Sequence, residues 1–516
     1  MTAPIPTESY ARRALLRFED ALNKVFGNDL NPFYHLGALG FYFFWVVVVS
    51  GAYIYAFYQT GIELSYPSVE YLTHEQWYLG GVMRSLHRYA SDALVLAMVL
   101  HLLREYILGR YRGARWFAWI TGVLLIWLII AAGINGYWMV WDKLAQYSVV
   151  SAMAWFDWLP IFSEPMSQSF ISQEVLNDRF FSLISFAHVT VPLLILFVLW
   201  IHIMRISKPV VNPRRKLTLG MLLTLLVLAL LKPALSQGPA DMGIEPANIG
   251  IDWFYLFIHP LLDVWSAGQV WALVIGVSLL FCALPWLPGR HKQIPVAEVH
   301  LKECSGCRLC VADCPYEAVV MRPRSDGMQF REEAVVVADR CVSCGICVGA
   351  CPSSNAFRSE AGYVSGIEMP SLPIFGLRTA MMNELARLEG DVRIMVFGCD
   401  EAANIEKLRS KGVSVLSLPC IAMLPPSFIE YALHEHHVEG VLITGCREND
   451  CYHRLGVLWT EKRLAAEREP RLRSRAERER IRQFWASSAD FKELVLDLES
   501  FRSSLRSLTE SENISK

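Results

Sequence analysis

Six stretches of the chain, at about 37–58, 85–108, 117–140, 181–205, 216–236 and 268–288, are almost continuously apolar. Each approaches the roughly 20 residues that an α-helix needs to cross the hydrocarbon core of a bilayer. Past Arg290 no such stretch occurs. The pattern predicts six spanning helices followed by a soluble region. Ahead of the first span, Tyr10 to Phe26 places Leu15, Phe18, Leu22 and Val25 on one helical face with arginines opposite. That is the pattern of a helix lying on a membrane surface. Residues 1–36 lack a short apolar core followed by a small-residue cleavage site, so no cleavable signal is expected.

The soluble region changes period. Val392 to Phe397, Val413 to Leu418 and Val441 to Thr444 read as short buried strands, separated by helical stretches at 401–411 and 426–438. This alternation predicts a small parallel α/β sheet. Residues 461–516 are dense in charge, of alternating sign over 461–480, and are expected as solvated helices with a docking surface as their candidate role.

Composition agrees with a membrane protein carrying soluble additions: 53% hydrophobic residues, a mean hydropathy of +0.30 and 16 tryptophans. Nucleic acid is not expected as a partner. Loop charges orient the spans. Arg12, Arg13 and Arg17, then Arg104, Arg110, Arg112 and Arg115, then Arg205, Lys208, Arg214, Arg215 and Lys216, and finally Arg290 and Lys292 mark one side. The other loops carry Glu63, Glu70, Glu75, Asp157, Glu164, Glu174, Asp241 and Glu245. The positive-inside rule then predicts a multi-pass protein of the plasma (inner) membrane with both termini cytoplasmic.

Within the spans, His87 and His101 are fourteen residues apart, and so are His188 and His202. Fourteen residues is close to four helical turns, so each pair shares one helix face, roughly 21 Å apart along the axis. A single histidine in an apolar helix is usually a buried or interfacial residue. Four in matched pairs, at a depth where ionisable groups are costly, point instead to two stacked bis-histidine sites for haem iron.

The surrounding residues resemble cytochrome b, in the form of cytochrome b6 with subunit IV. Ser85-Leu86-His87-Arg88 matches the family's second helix, and Thr121-Gly122 through Gly136-Tyr137 to Trp141-Asp142 matches its third. Gly37 with Gly51, and Gly122 with Gly136, repeat the fourteen-residue spacing on the neighbouring helices, where small residues let porphyrin faces approach the backbone. The resemblance implies that His87 and His188 hold one b haem, and His101 and His202 the other. It also makes Arg84 a candidate propionate partner and implies a homodimer of the cytochrome b part. Two departures bear on quinone. Phe33-Tyr34-His35-Leu36-Gly37 has histidine where the b6 form attaches an extra haem through cysteine, so no third haem is expected and His35 is a candidate contact for a cytoplasmic-side quinone. Pro246-Ala247-Asn248 followed by Ile251-Asp252-Trp253-Phe254 stands where the family has Pro-Glu-Trp-Tyr. Asp252 keeps a carboxylate there, a candidate carrier of a quinone proton; a capping aspartate is the structural alternative.

Twelve of thirteen cysteines follow residue 300, on the cytoplasmic side, where metal ligation is favoured over disulfides. Cys304, Cys307, Cys310 and Cys314-Pro315 form C-x2-C-x2-C-x3-C-P, and Cys341, Cys344, Cys347 and Cys351-Pro352 repeat it. In such a repeat three cysteines bind one cubane and the fourth crosses to the other. The expected sets are Cys304, Cys307, Cys310 with Cys351, and Cys341, Cys344, Cys347 with Cys314. A zinc site would need only simpler cysteine pairs. This region resembles a bacterial two-cluster ferredoxin.

Cys399, Cys420 and Cys446 each follow a predicted strand's carboxyl end, the edge where open α/β sheets place ligands, and Cys451 is five residues further. Four converging thiols suit a [2Fe-2S] cluster or zinc; packing as small hydrophobes is the alternative. Gly445-Cys446 and Asp450-Cys451-Tyr452-His453 resemble the G-C-x-x-x-D-C-H-Y signature of the delta subunit of methyl-viologen-reducing hydrogenases, with tyrosine and histidine exchanged. That family has a further cysteine where this chain has Ala402 and its neighbours. It passes electrons to heterodisulfide-reductase flavoproteins, and the resemblance implies such a flavoprotein, or other dehydrogenase or hydrogenase subunits, as partner.

The expected architecture is therefore an amphipathic segment 1–36, an all-α transmembrane cytochrome b bundle 37–290, a ferredoxin-like α+β domain 296–358, a linker and helix 359–390, and a parallel α/β domain with a charged tail 391–516. The expected function is a membrane electron-transfer subunit of a quinone-linked oxidoreductase, with two b haems, two [4Fe-4S] clusters, one [2Fe-2S] cluster and quinone as substrate. A quinol-oxidising cytochrome bc-like subunit and a redox sensor or assembly scaffold are the rival readings. An intact Pro-Glu-Trp-Tyr would favour the first rival, and a signalling output domain the second.

Overall fold

A computed structural model describes residues 10–161, 164–170, 176–287, 295–357, 363–434, 438–473 and 477–515. The expectations for residues 1–9, 162–163, 171–175, 288–294, 358–362, 435–437, 474–476 and 516, Glu174, Arg290 and Lys292 among them, lie outside the described residues. The chain forms two compact units, one of Leu30–Met204 with Pro209–Pro288, the other of Met1–Asp29, Arg205–Lys208 and Gly289–Lys516.

In the first unit the helices are α2 (Leu36–Phe57), α3 (Ser65–His74), α4 (Val82–Ile107), α5 (Trp116–Val140), α6 (Lys143–Phe156), α7 (Asp178–Ile203), α8 (Arg215–Leu231), the short α9 (His259–Leu262) and α10 (Ala267–Ala283). The six long apolar runs coincide with α2, α4, α5, α7, α8 and α10. By length and composition four helical stretches can cross a membrane: Pro32–Phe57, Gly113–Val140, Asp178–Ile203 and Ala267–Trp286. α4 has the length but carries Arg84, Arg88, Asp92, Arg104 and Glu105, and α8 has 17 residues. α2 packs on α4, and α5 on α7. Their shared core holds Leu39, Phe43, Leu86, Leu94, Met98, Leu125, Ile129, Ile195 and Val198. The outward faces are also apolar, with Leu193, Phe197 and Trp200 on α7 and Leu279 on α10 all more than half exposed. A bundle apolar both inside and out is a bundle solvated by lipid.

The second unit begins with α1 (Tyr10–Phe26). The predicted helix is present, and it makes contacts along one edge: Leu16 and Glu19 are buried, and Asp20 pairs with Arg447 at 3.4 Å. Phe18 and Val25 of the predicted apolar face stay exposed. One edge of α1 is therefore docked on the last domain.

The ferredoxin-like region has β1 (Glu298–Val299) paired with β4 (Ile367–Glu368) and a hairpin of β2 (Val319–Pro323) with β3 (Glu332–Val336), all antiparallel. Two short helices, α11 (Leu309–Asp313) and α12 (Ile346–Gly349), each carry a motif cysteine, Cys310 and Cys347. After α13 (Ile374–Leu385) comes a four-stranded sheet of order β6-β5-β7-β8, formed by β5 (Ile394–Cys399), β6 (Val413–Leu418), β7 (Gly440–Gly445) and β8 (Ile481–Trp485), parallel throughout. α14 (Pro426–His434), α15 (Gly456–Leu464) and α16 (Phe491–Ser515) complete it.

Three expectations fail here. The helix expected at 401–411 is a 3-10 turn, Ile405–Leu408, capped by Asn404. Residues 481–485 are a fourth strand, although their own burial pattern is only half apolar, because β7 offers an open edge. The charged tail is not a set of solvated helices. Leu494, Leu498, Phe501 and Leu505 of α16 are buried against Ile394, Val396, Val413 and Leu442 of the sheet. Their spacing of three and four is one helical stripe, so a charged composition hid a packed face.

Candidate functional site: histidine pairs and cysteine quartets

The four span histidines meet in the expected pairs. The rings of His87 and His188 lie with centroids 6.2 Å apart, and His202 lies beside His101. A metal held about 2 Å from each of two imidazole nitrogens sets ring centres about 6 Å apart, so the first spacing fits one iron between two rings. Each histidine backs onto one of the four predicted glycines. A Cβ on Gly51 would lie 2.9 Å from His87 Cε1, and one on Gly136 2.8 Å from His188 Cε1. At Gly37 and Gly122 the corresponding distances, to His101 and His202, are 3.6 Å. Bare backbone is thus obligatory at Gly51 and Gly136.

Three of the histidines are held through a ring nitrogen that faces the protein. His87 Nδ1 donates to Val47 O at 2.9 Å, and His188 Nδ1 donates to Ala132 O at 3.0 Å. Thr121 Oγ1 donates to Phe117 O and accepts from His202 Nδ1 at 2.8 Å. Each such bond fixes the tautomer and leaves Nε2 as the metal-facing atom. The paired histidines therefore fit haem, whose iron, when bound, would supply one-electron redox chemistry.

Arg84 is turned to protein partners: Glu70 at 3.3 Å, Ser236 at 2.7 Å, and Thr73. His35 is buried in the turn entering α2, at the end of that helix where Gly37 meets His101. Asp252 stands in the loop before α9, at the His87 end of α4. Its side chain is 2% exposed and pairs with Arg88, while Tyr137 donates to it. Asp252 Oδ1 also accepts from the backbone N–H of Phe254 at 2.6 Å, so it does cap the following turn. Arg88 pairs with Asp92 as well. Capping and proton handling are both open to this carboxylate. Arg88, Asp92 and Tyr137 escaped the sequence reading. The one local signal was the four-residue spacing of Arg88 and Asp92 on one helix face.

In the second unit, one cavity is lined by Cys304, Cys307, Cys310 and Cys351, together with Gly306, Arg308, Met321, Ala334 and Ile367. Burial and the neighbouring Cys351, Cys307 and Cys304 push the Cys310 thiol up to about 12. Cys314 lies with Cys341, Cys344 and Cys347: burial, then Cys347, Cys314 and Cys341, push Cys344 well up. The crossing of the fourth cysteine between motifs is thus present in the geometry. At the carboxyl edge of the sheet, Cys399 Sγ and Cys446 Sγ are 4.0 Å apart. A hydrogen bond with Cys420, followed by burial, raises Cys399, and one with Cys446 raises Cys451. Twelve thiols gathered in three quartets, most of them buried and held in the neutral form, suit positive ions that displace their protons on binding.

Comparison with known families follows the same three divisions. Residues 22–210 match the family of cytochrome b/b6/petB, residues 303–355 a 4Fe-4S dicluster domain, and residues 394–509 the methyl-viologen-reducing hydrogenase delta subunit. A solved structure titled "Hyperthermophilic respiratory Complex III" is 20% identical, with a TM-score of 0.41, over 54% of this chain and 82% of that one. The family matches define an integral membrane electron-transfer subunit, with haem b implied by the first region and [4Fe-4S] clusters by the second.

Proposed function

We propose that the chain is the membrane subunit of a quinone-linked oxidoreductase, exchanging electrons between the quinone pool and a cytoplasmic flavoprotein of heterodisulfide-reductase type or a related iron–sulfur partner. The observation that carries this reading is the presence, in one polypeptide, of two facing histidine pairs in a lipid-solvated bundle and three cysteine quartets in a soluble unit. The proposed cofactors are two b haems, two [4Fe-4S] clusters and, on Cys399, Cys420, Cys446 and Cys451, one [2Fe-2S] cluster. The six apolar helices all span, both termini face the cytoplasm of a plasma membrane, and the cytochrome b part pairs as a homodimer.

Each side chain has a task in this reading. The histidines present Nε2, the glycines admit the imidazoles, and Val47, Ala132 and Thr121 hold the rings in one tautomer. Asp252 is the carboxylate that would relay a proton in quinone chemistry, held in place by Arg88 and Tyr137. His35 is the alternative contact at the opposite end of the bundle. Quinone reduction is the favoured direction, because electrons leaving the negative cytoplasmic side gain roughly 2.3 kcal/mol per 100 mV of potential. The test is purification from membranes with partner subunits, followed by haem and iron analysis and quinone reduction assays. Two non-covalent b haems with reduction of added quinone by the partner support the proposal; a chain carrying zinc, or haem without quinone turnover, overturns it.

A further inference from the structure

The three cysteine quartets are not equivalent in their surroundings. Cys347 of the second quartet lies beside Cys310 of the first. Cys344, also of the second, shares a small apolar cluster with Cys420 of the third, closed by Ile346, Ala422, Leu455 and Trp459. The second quartet therefore borders both others. Its peptide is gripped from two directions. Trp459 Nε1 donates to Asp313 O at 3.1 Å, one residue before Cys314. Ser207 Oγ donates to Cys314 O at 3.0 Å, and Ser207 N donates to Pro315 O at 3.1 Å. Arg454, three residues past Cys451, donates to Ser207 O at 2.8 Å. Along the chain, Ser207 follows His202 by five residues.

The first quartet looks outward. Among the described residues Cys307 is the one exposed quartet cysteine. Beside it the surface pair Arg308–Glu332 closes at 2.6 Å. The turn between β2 and β3 leaves Met328 and Phe330 open, at 50% and 38%. That turn is anchored to the quartet, since Arg324 donates to the carbonyl of Cys304 at 2.5 Å. Arg322 and Arg331 are exposed on the same hairpin. Arg308 and Arg324 are paired with Glu332 and Asp326, so the charge offered beside the two apolar side chains is that of Arg322 and Arg331, a small patch suited to a transient, acidic partner.

We infer that the second quartet is the junction of the soluble unit, and that the first quartet is a side arm opening at Cys307 to a small acidic protein that carries single electrons, of the ferredoxin type. The inference rests on the reading of all three quartets as iron–sulfur ligands. Each transfer oxidises the carrier by one electron and reduces the side arm by one, with no bond made and no proton moved. The third quartet then serves a separate partner through the same junction.

The test uses the full-length protein and an acidic bacterial ferredoxin as probe. Cys307→Ala should lower cluster iron by about four per chain, while the [2Fe-2S] signal keeps its spin–spin broadening with the remaining cubane. The double variant Met328→Glu with Phe330→Glu should retain all cluster signals, yet haem reduction by reduced ferredoxin should slow by about tenfold, as expected for an electrostatically mismatched rim. Loss of all broadening in Cys307→Ala overturns the junction. An unchanged ferredoxin rate in the double variant overturns the side arm. Absence of a [2Fe-2S] signal from the wild-type protein would instead sink the reading of the third quartet on which both depend.

Discussion

Asp313 and Arg463 form an ion pair closed off from solvent on both sides, their side chains 0% and 1% exposed. Arg468 joins the same carboxylate, and Arg463 also donates to Ala422 O at 2.7 Å. Asp313 immediately precedes Cys314, and Arg463 lies on α15, so this pair makes the ferredoxin-like region and the last domain one body. Removing Asp313 leaves a buried guanidinium without its counter-charge. Asp313→Ala should destabilise the soluble unit by about 3–5 kcal/mol, the usual penalty for breaking a buried pair from one side. Chemical denaturation followed by cluster absorbance checks this. A midpoint unchanged from wild type would mean that water reaches the site.

The glycines separate the two haem sites. Gly136→Val puts a branched side chain where even a Cβ would lie 2.8 Å from His188 Cε1. It should cost the His87–His188 haem and leave the other, so the pyridine haemochrome should fall by about half. Gly37→Ala, at an ordinary contact distance of 3.6 Å, should keep both. His101→Ala should lose the opposite haem from Gly136→Val. If Gly136→Val retains full haem content, the ring packing described above does not limit haem binding.

For the third quartet, Cys446→Ser should abolish a [2Fe-2S] signal and preserve both cubane signals, because Cys446 lies with Cys399 and outside the other two sets. Electron paramagnetic resonance with iron counting decides it. Retention of every cluster signal, with zinc in the soluble unit, would leave this quartet without an electron-carrying role.

At Asp252, asparagine preserves an oxygen for the Phe254 N–H but removes the charge opposite Arg88. Quinone-linked turnover should fall by roughly 10²-fold, the scale of a lost general acid or base. Haem content and haem reduction by the cytoplasmic partner should stay normal. Unchanged turnover in a fully haem-loaded variant would move quinone chemistry to the end of the bundle near His35; lost haem would assign Asp252 a structural role.

The buried thiols supply a pH signature. In cluster-free protein Cys310 stays protonated up to about 12, raised from an ordinary value of 9.0 by burial and by Cys351, Cys307 and Cys304. The folded chain thus holds a proton that the unfolded chain loses near pH 9.0. Whatever stability these neutral thiols contribute is complete below that value and declines as pH rises through the window up to about 12. Alkylation of Cys310 in the folded apo-protein should stay far slower than that of an ordinary thiol until the pH nears the top of the same window. Rapid modification of Cys310 at neutral pH would show that the quartet opens without its cluster.

Periodicity and spacing were enough to locate the six apolar helices, the four histidines with their four glycines, and the two C-x2-C-x2-C-x3-C-P motifs. All of these are local: a helix face repeats every few residues, and a metal-binding loop carries most of its ligands within one turn of chain. What the chain could not declare locally was which distant groups meet. β8 was invisible because its strand character depends on the open edge of β7. The packed stripe of α16 was masked by the charges between its leucines. Asp252 looked like an isolated carboxylate until the fold brought it to Tyr137, 115 positions away, and to Arg88. The pairing of Asp313 with Arg463 joins residues 150 positions apart, and the contact of Cys344 with Cys420 is of the same kind. Sequence alone picked out the candidate metal ligands, since ligand chemistry belongs to the side chain. Only the tertiary structure decided which metal-binding set neighbours which, since that is settled by packing between segments whose separation along the chain carries no trace of it.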